Sequence, residues 1–99
     1  MKKIWQIQLD AFSAQRYDAK CSMMLSGSKA WKQEHKALFT HVATIDVETA
    51  EEAFEITNLW NDEEKVVWKG KCRSLSVGDV VEFEDGSWYM VDPFGFSEV

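Results

Sequence analysis

The sequence predicts an α+β domain: a mostly antiparallel sheet of four to five strands with one main helix, residues 49–60, packed on it. Three observations carry that expectation. Short segments alternate apolar and polar residues, one segment pairs a helix cap with an i, i+3, i+4, i+7 stripe, and an Asp-Gly pair separates two β-rich runs. At 99 residues the chain is the size of one domain, 1–99, which can bury roughly 60 to 70% of the surface of its extended form. With 45% hydrophobic residues, 13% aromatics and one proline, the composition is that of a globular chain rather than a disordered one.

Taken in order, Trp5, Ile7 and Leu9 alternate with Gln6 and Gln8, so residues 3–9 read as a strand with one face on a core and the other near water. Residues 10–40 are less regular. Small and polar residues dominate 22–28, and Trp31, His35 and Leu38 recur at helical spacing, which predicts a short helix within 29–39. Residues 41–47 are rich in β-branched side chains and put Ala43, Ile45 and Val47 on one face of a second strand. Thr49 and Glu52 then form a capping box, because a threonine hydroxyl can accept from the first turn while a glutamate three residues on reaches back. Ala50, Ala53, Phe54, Thr57 and Trp60 follow as the apolar stripe, and Glu51, Glu52 and Glu55 suit the positive end of the helix dipole. The helix ends within 58–64.

Residues 66–68 are a short apolar extension, and Gly70 is a turn candidate. Residues 77–83 and 87–91 read as a hairpin around Glu84-Asp85-Gly86, since Asp and Gly tolerate the positive φ of a tight turn. Pro93 breaks pairing, and Gly95 bends the chain before a last short strand. In that hairpin Trp88 and Met90 share one face while Tyr89 and Val91 share the other. Large side chains on both faces call for a second layer or a partner on each. Five tryptophans exceed what one small core covers, so some are expected at the surface.

Charge and composition exclude several functions. The net charge is -6, and it is uneven: residues 1–40 hold seven basic and three acidic residues, residues 41–99 four basic and fourteen acidic. A generally cationic nucleic-acid binder is disfavoured, because phosphate contacts need clustered Lys and Arg. Cys21 and Cys72 read as free thiols of a reducing cytoplasm, since nothing in the sequence forms a disulfide framework. Gln6, Gln8 and Asp10 interrupt the apolar run an export signal needs, and no run approaches the roughly 20 apolar residues of a membrane span. The expected location is the cytoplasm of the host cell. His35 and His41 are the only imidazoles, and neither sits in a catalytic signature, so cap or surface roles are expected. Cys21, His35, His41 and Cys72 lack the short spacings that preorganise zinc. No cofactor, metal or catalytic set is assigned.

Asp79, after Gly78, fits a turn aspartate that accepts from backbone N–H groups and holds a strand start. The same step, Ser76-Val77-Gly78-Asp79-Val80-Val81, resembles one found in small β-barrel RNA-binding domains of the PUA and ASCH type. The whole closing block, RSLSVGDVVEFEDGSWYMVDPFGFSEV (residues 73–99), resembles the ending of the YodL-like family and related small proteins. Upstream, HVATIDVETAEEAFEITN is similar to the strand and helix that precede it there. The resemblance covers residues 41–99; residues 1–40 are unassigned. It rests on Arg73, Ser74, Ser76, Val77, Gly78, Asp79, Val80, Asp92, Gly95 and Phe96, and it transfers no catalytic residue. What it implies is an accessory protein of phages, plasmids and conjugative elements.

The expected function is therefore non-enzymatic: binding of a host macromolecule, most simply a host protein, as an inhibitor or as a nucleic-acid mimic with an acidic surface. The candidate partner-binding residues are Glu51, Glu52, Glu55, Asp62, Glu63, Glu64, Trp68, Arg73, Trp88 and Phe94. The alternative is a small nucleic-acid-binding module, PUA/ASCH-like or acting through Lys2, Lys3, Arg16, Lys20, Lys29, Lys32 and Lys36 with Trp31 stacking on a base. Either a monomer or a homodimer fits, and no membrane association is expected.

Overall fold

The computed structural model describes residues 1–8, 14–59, 63–70 and 72–99. Its frame is a six-stranded antiparallel sheet built from β1 (Lys2–Gln6), β2 (Thr40–Ile45), β3 (Val66–Trp68), β4 (Val80–Glu82), β5 (Trp88–Val91) and β6 (Phe96–Glu98), in the order β3-β2-β1-β4-β5-β6. Two α-helices pack on it, α1 (Ala14–Ser26) and α2 (Ala50–Leu59), with 3-10 turns at Gly27–Ala30, Gln33–Leu38 and Glu63–Lys65. The α+β expectation stands. The sheet has one strand more than expected, because 66–68 is not a mere extension: Val66 pairs with Ile45 and Trp68 with Ala43.

The larger correction is α1. Residues 14–26 contain no Gly or Pro and are rich in Ala, Gln, Lys, Met and Leu, all good helix formers. Their apolar stripe is thin, however, because among the described side chains Ala19 and Met23 are the buried apolar residues while Tyr17, Met24 and Leu25 are exposed. Too little periodicity remained for a pattern reading to find the helix. It stops where Gly27 adopts φ +61°, the left-handed geometry that commonly terminates helices. The short helix expected within 29–39 is instead two 3-10 turns.

Because α1 and α2 lie on opposite faces, the sheet has two cores rather than one. Val80 and Val81 are consecutive in β4 and so point to opposite sides. Val81 joins Ile4, Val42, Ala43, Ile45 and Leu75 beneath Ala50, Ala53 and Ile56 of α2; Val80 joins Ile7, Trp88, Met90 and Phe39 beneath Ala19 and Met23 of α1. Each fully buried Ile or Met stabilises the fold by about 1.5–3 kcal/mol. Val42 and Ala43 enter the same core because the β1–β2 register shifts between Ile4 and Trp5, a bulge that places both side chains on one side.

The two-sided cover also overturns the expectation that Gln6 faces water, since it is 0% exposed. Leu9, the expected end of the first strand, and Trp60, the expected end of the helical stripe, lie outside the described residues. At the start of α2, the Glu52 N–H donates to Thr49 Oγ1 at 3.1 Å, as the capping box requires. The glutamate carboxylate accepts from the same hydroxyl at 3.2 Å. The Asp-Gly hairpin forms as expected, with Gly86 at φ +89° and Phe83 N–H on the Ser87 carbonyl at 2.9 Å.

Candidate functional site

Helix α2 presents Glu51, Glu52 and Glu55 to solvent on the side away from the sheet, following exposed Asp46 and Glu48 in the segment that leads into it. Among the described residues no ion pair holds any of these three glutamates. Half-exposed Phe54 and exposed Leu59 lie on the same helix, with the Phe54 ring edge-on to Phe96 at 6.3 Å. Glu64 is exposed, whereas Asp62 and the Glu63 side chain lie outside the described residues.

The basic residues sit elsewhere. Lys29, Lys32 and Lys36 are exposed on the 3-10 turns, whose neighbours Ala30, Trp31 and Leu38 pack into the α1-side core. The acidic helix α2 thus lies on one face of the sheet and Lys29, Lys32 and Lys36 on the other, while Glu82 and Asp92 of the acidic half reach the α1 side. Two of the expected phosphate contacts are buried. Lys2 is buried, donating to Glu84 Oε1 at 2.7 Å and the Val47 carbonyl at 3.2 Å, with its ammonium 4.7 Å from the Phe83 ring centre. Lys20 is only 9% exposed.

Beneath the closing block lies a buried polar network. Asp79, 1% exposed, accepts from the Ser76 N–H at 3.0 Å, the Ser76 hydroxyl at 3.4 Å, Gln6 Nε2 at 3.2 Å and Arg73 Nη1 at 3.0 Å. Arg73 Nη2 donates to the Ile7 carbonyl at 3.3 Å. Gln6 and the Arg73 backbone exchange two further bonds, at 2.9 and 3.3 Å. Burial pushes the Asp79 carboxyl up, and Arg73 and then Lys20 pull it back. Burial lowers the Lys20 ammonium against the pull of Asp79. The turn reading of Asp79 therefore holds, extended by an ion pair and an amide that the sequence did not reveal. Arg73, proposed for partner contact, is committed to this network on its inner side.

Aromatic side chains account for much of the α1-side layer. Trp5 stacks between His41, at 5.2 Å, and Trp88, at 5.0 Å, and its Nε1 donates to Glu82 at 2.8 Å. Trp31 and Phe39 pack against Trp88 at 6.1 and 5.7 Å. Trp88 is consequently 6% exposed and cannot serve as the surface contact expected of it. Trp68 is 45% exposed and Phe94 97%. Burial lowers the His41 imidazole, which sits 3.0 Å from both the Ala43 carbonyl and Thr44 Oγ1. His35 Nδ1 accepts from the Lys32 N–H at 3.2 Å, a cap.

Asp92 closes an open cleft of about 400 Å³ lined by Leu25, Ser28, Lys29 and Phe94. It accepts from the Ser28 N–H at 2.6 Å, the Ser28 hydroxyl at 2.9 Å and the Ser97 hydroxyl. Burial would raise its carboxyl, yet the bonds from Ser97 and Ser28 hold it below the usual range. Cys21 and Cys72 are both free thiols. Among the described residues no group of three or more His, Cys, Asp or Glu is placed to hold a metal, and no helix is long and apolar enough to cross a membrane. Comparison with known proteins returns no match, whether to family models, curated proteins or solved structures.

Proposed function

We propose that this protein is a non-enzymatic docking protein that presents the acidic outer side of α2 to a basic surface on a host protein, in the manner of a mobile-element accessory protein or inhibitor. The observation that carries the reading is the row Glu51, Glu52 and Glu55, exposed and held by no cation among the described residues. Glu51 and Glu55 stand one helical turn apart, a rise of about 6 Å, so their charges repel each other and suit a cationic partner. Phe54 and Leu59 supply apolar area beside them. The YodL-like resemblance of residues 41–99 favours the same class, and a nucleic-acid mimic is one version of it.

The test is retention of host-lysate proteins on immobilised protein at low salt, compared with the double variant Glu51→Lys/Glu55→Lys. Glu52 is left in place because it serves the cap. Partners held by the parent should elute with rising salt and be absent from the variant's eluate; identical sets on both columns would refute the reading.

A second reading is favoured by one observation, exposed Lys29, Lys32 and Lys36 around half-buried Trp31. It is binding of single-stranded nucleic acid on the other face of the sheet. A salt-sensitive gel shift lost in Lys32→Glu/Lys36→Glu supports it, and no shift at low salt removes it.

A further inference from the structure

Strand register leaves part of the sheet's α1 side uncovered. Ile4 enters the α2-side core, so Lys3 and Trp5 point the other way, and pairing extends their face: Lys3 stands between Glu82 and Thr44, Thr44 opposite Val67, and Trp5 opposite His41. The buried α1-side core takes Val80 of β4 and Trp88 and Met90 of β5, but no described residue of β2 or β3. Lys3 and Lys69 are accordingly exposed, Val67 is 49% exposed, and Trp5, His41 and Thr44 are half-buried.

Across this face the rings form a pile with one open end. Trp88, Trp5 and His41 stack in that order, at 5.0 and 5.2 Å. The far end is closed, because the Lys36 ammonium lies 4.8 Å from the Trp88 ring centre and Trp31 and Phe39 pack against the same ring. His41, at the near end, meets no second ring among the described residues, and its Nε2 is held 3.0 Å from both Thr44 Oγ1 and the Ala43 carbonyl. The chain after β3 adds no bulk beside it: Gly70, whose N–H donates to the Val42 carbonyl at 3.2 Å, has nothing within 4 Å of where a Cβ would stand. Two lysines border this end on either side of β2. Lys3 pairs with Thr44, and the Lys69 N–H donates to the Val42 carbonyl at 2.9 Å. Neither lysine is ion-paired among the described residues, and the one carboxylate of these rows, Glu82, accepts from Trp5 Nε1 at 2.8 Å.

A ring with a free face between two unpaired ammonium groups fits a base flanked by phosphates, because any base can stack and each phosphate draws a cation. We infer that the β1–β2–β3 face binds single-stranded nucleic acid, one base stacking on His41 with the phosphates on either side held by Lys3 and Lys69. The α2 glutamates lie behind the sheet, where at about 0.1 M salt a Debye length of about 10 Å screens them from the strand. This surface is distinct from the acidic side of α2 and from the lysines around Trp31, so each can fail without the others.

Fluorescein-labelled oligo-dT and oligo-rU of about ten nucleotides are titrated with the full chain and followed by anisotropy. Saturable binding is expected, with log K falling against log salt at a slope of about −1.4 for two phosphate contacts. Lys3→Gln/Lys69→Gln, both at exposed positions, should weaken binding and flatten that slope. His41→Ala should weaken binding by about ten- to hundredfold, the loss of one stacked base, and His41→Phe, which restores a ring, should recover it. A peptide of glutamates, charged but without bases, should bind about tenfold more weakly or worse. Lys32→Glu/Lys36→Glu should bind as the parent does. The site is overturned if neither oligonucleotide saturates, if His41→Ala or Lys3→Gln/Lys69→Gln binds like the parent, or if the glutamate peptide binds equally well. Binding lost in Lys32→Glu/Lys36→Glu and kept in His41→Ala also overturns it, and assigns the nucleic acid to the Trp31 turns.

Discussion

Replacing Asp79 with alanine removes the acceptor on which nearby Arg73 and Ser76 and distant Gln6 converge, and its cost can be worked from the contacts. Asp79 is 1% exposed and Arg73 41% exposed, so the guanidinium can recover water while the other donors are less free to do so. The ion pair is discounted accordingly. The Ser76 N–H and one Gln6 N–H lose their acceptor, each at a cost of about 1–3 kcal/mol, while Gln6 Nε2 keeps its bond to the Arg73 carbonyl. Together the loss should be about 3–4 kcal/mol, which for a domain of this size lowers Tm by roughly 12–30 °C. Urea unfolding followed by tryptophan fluorescence measures it directly, as a lower midpoint at unchanged slope. Glu55→Ala, on the exposed side of α2, serves as the control and should stay within about 0.5 kcal/mol of the parent. A loss below about 1 kcal/mol for Asp79→Ala would refute the claim that this network locks β1 to the loop before β4.

Three further outcomes are expected. Gly78→Ala should cost about 2–3 kcal/mol, because φ is +96° and the new Cβ meets the α1 backbone; Gly86→Ala, at φ +89° with nothing within 4 Å, should cost only the backbone strain of about 1–2 kcal/mol, and denaturation midpoints of the two compare them. Hydrogen bonds from Lys2 and then from the N-terminal amine hold the Glu84 carboxyl down to about 2, from an ordinary value of 4.5. A carboxyl lowered on folding stabilises fully above its ordinary value and loses that stabilisation as pH falls, so the parent's acid limb between pH 4.5 and 2 should be steeper than that of Glu84→Gln, measured by urea midpoints across that range. Burial raises the Cys72 thiol to about 11 from an ordinary 9.0, so in a Cys21→Ser background its maleimide reaction at pH 8 should be roughly a hundredfold slower than that of an unshifted thiol. A rate near that of a free thiol would mean that Cys72 is not shielded as described.

Local chemistry made part of this fold legible. The Thr49 cap, the Asp-Gly hairpin and the turn role of Asp79 each depend on residues within three or four positions of one another, and each formed where the sequence placed it. The alternation in 41–47 likewise marked β2. What periodicity could not carry was α1, whose buried apolar stripe is Ala19 and Met23, and β3, whose three residues are too few to show a period.

The candidate site divides along the same line. Acidic residues at positions 51, 52 and 55 were visible because a capped helix with buried Ala50 and Ala53 must turn them outward. The fate of Trp88 was not visible: its exposure depends on Trp5, Trp31 and Phe39, which reach it only once α1 and the 3-10 turns close over the second face. Lys2, Gln6, Lys20 and Arg73 look like solvated polar residues in one dimension, and a sheet covered on one side would have left them so. By itself the sequence determined the helix start, the hairpin and the sign of the charge on each half, because these follow from neighbouring residues and from composition. Only the tertiary structure decided which polar groups are buried together and that the α2 glutamates lie across the sheet from Lys29, Lys32 and Lys36, because both depend on a second layer assembled from contacts between residues more than sixty positions apart.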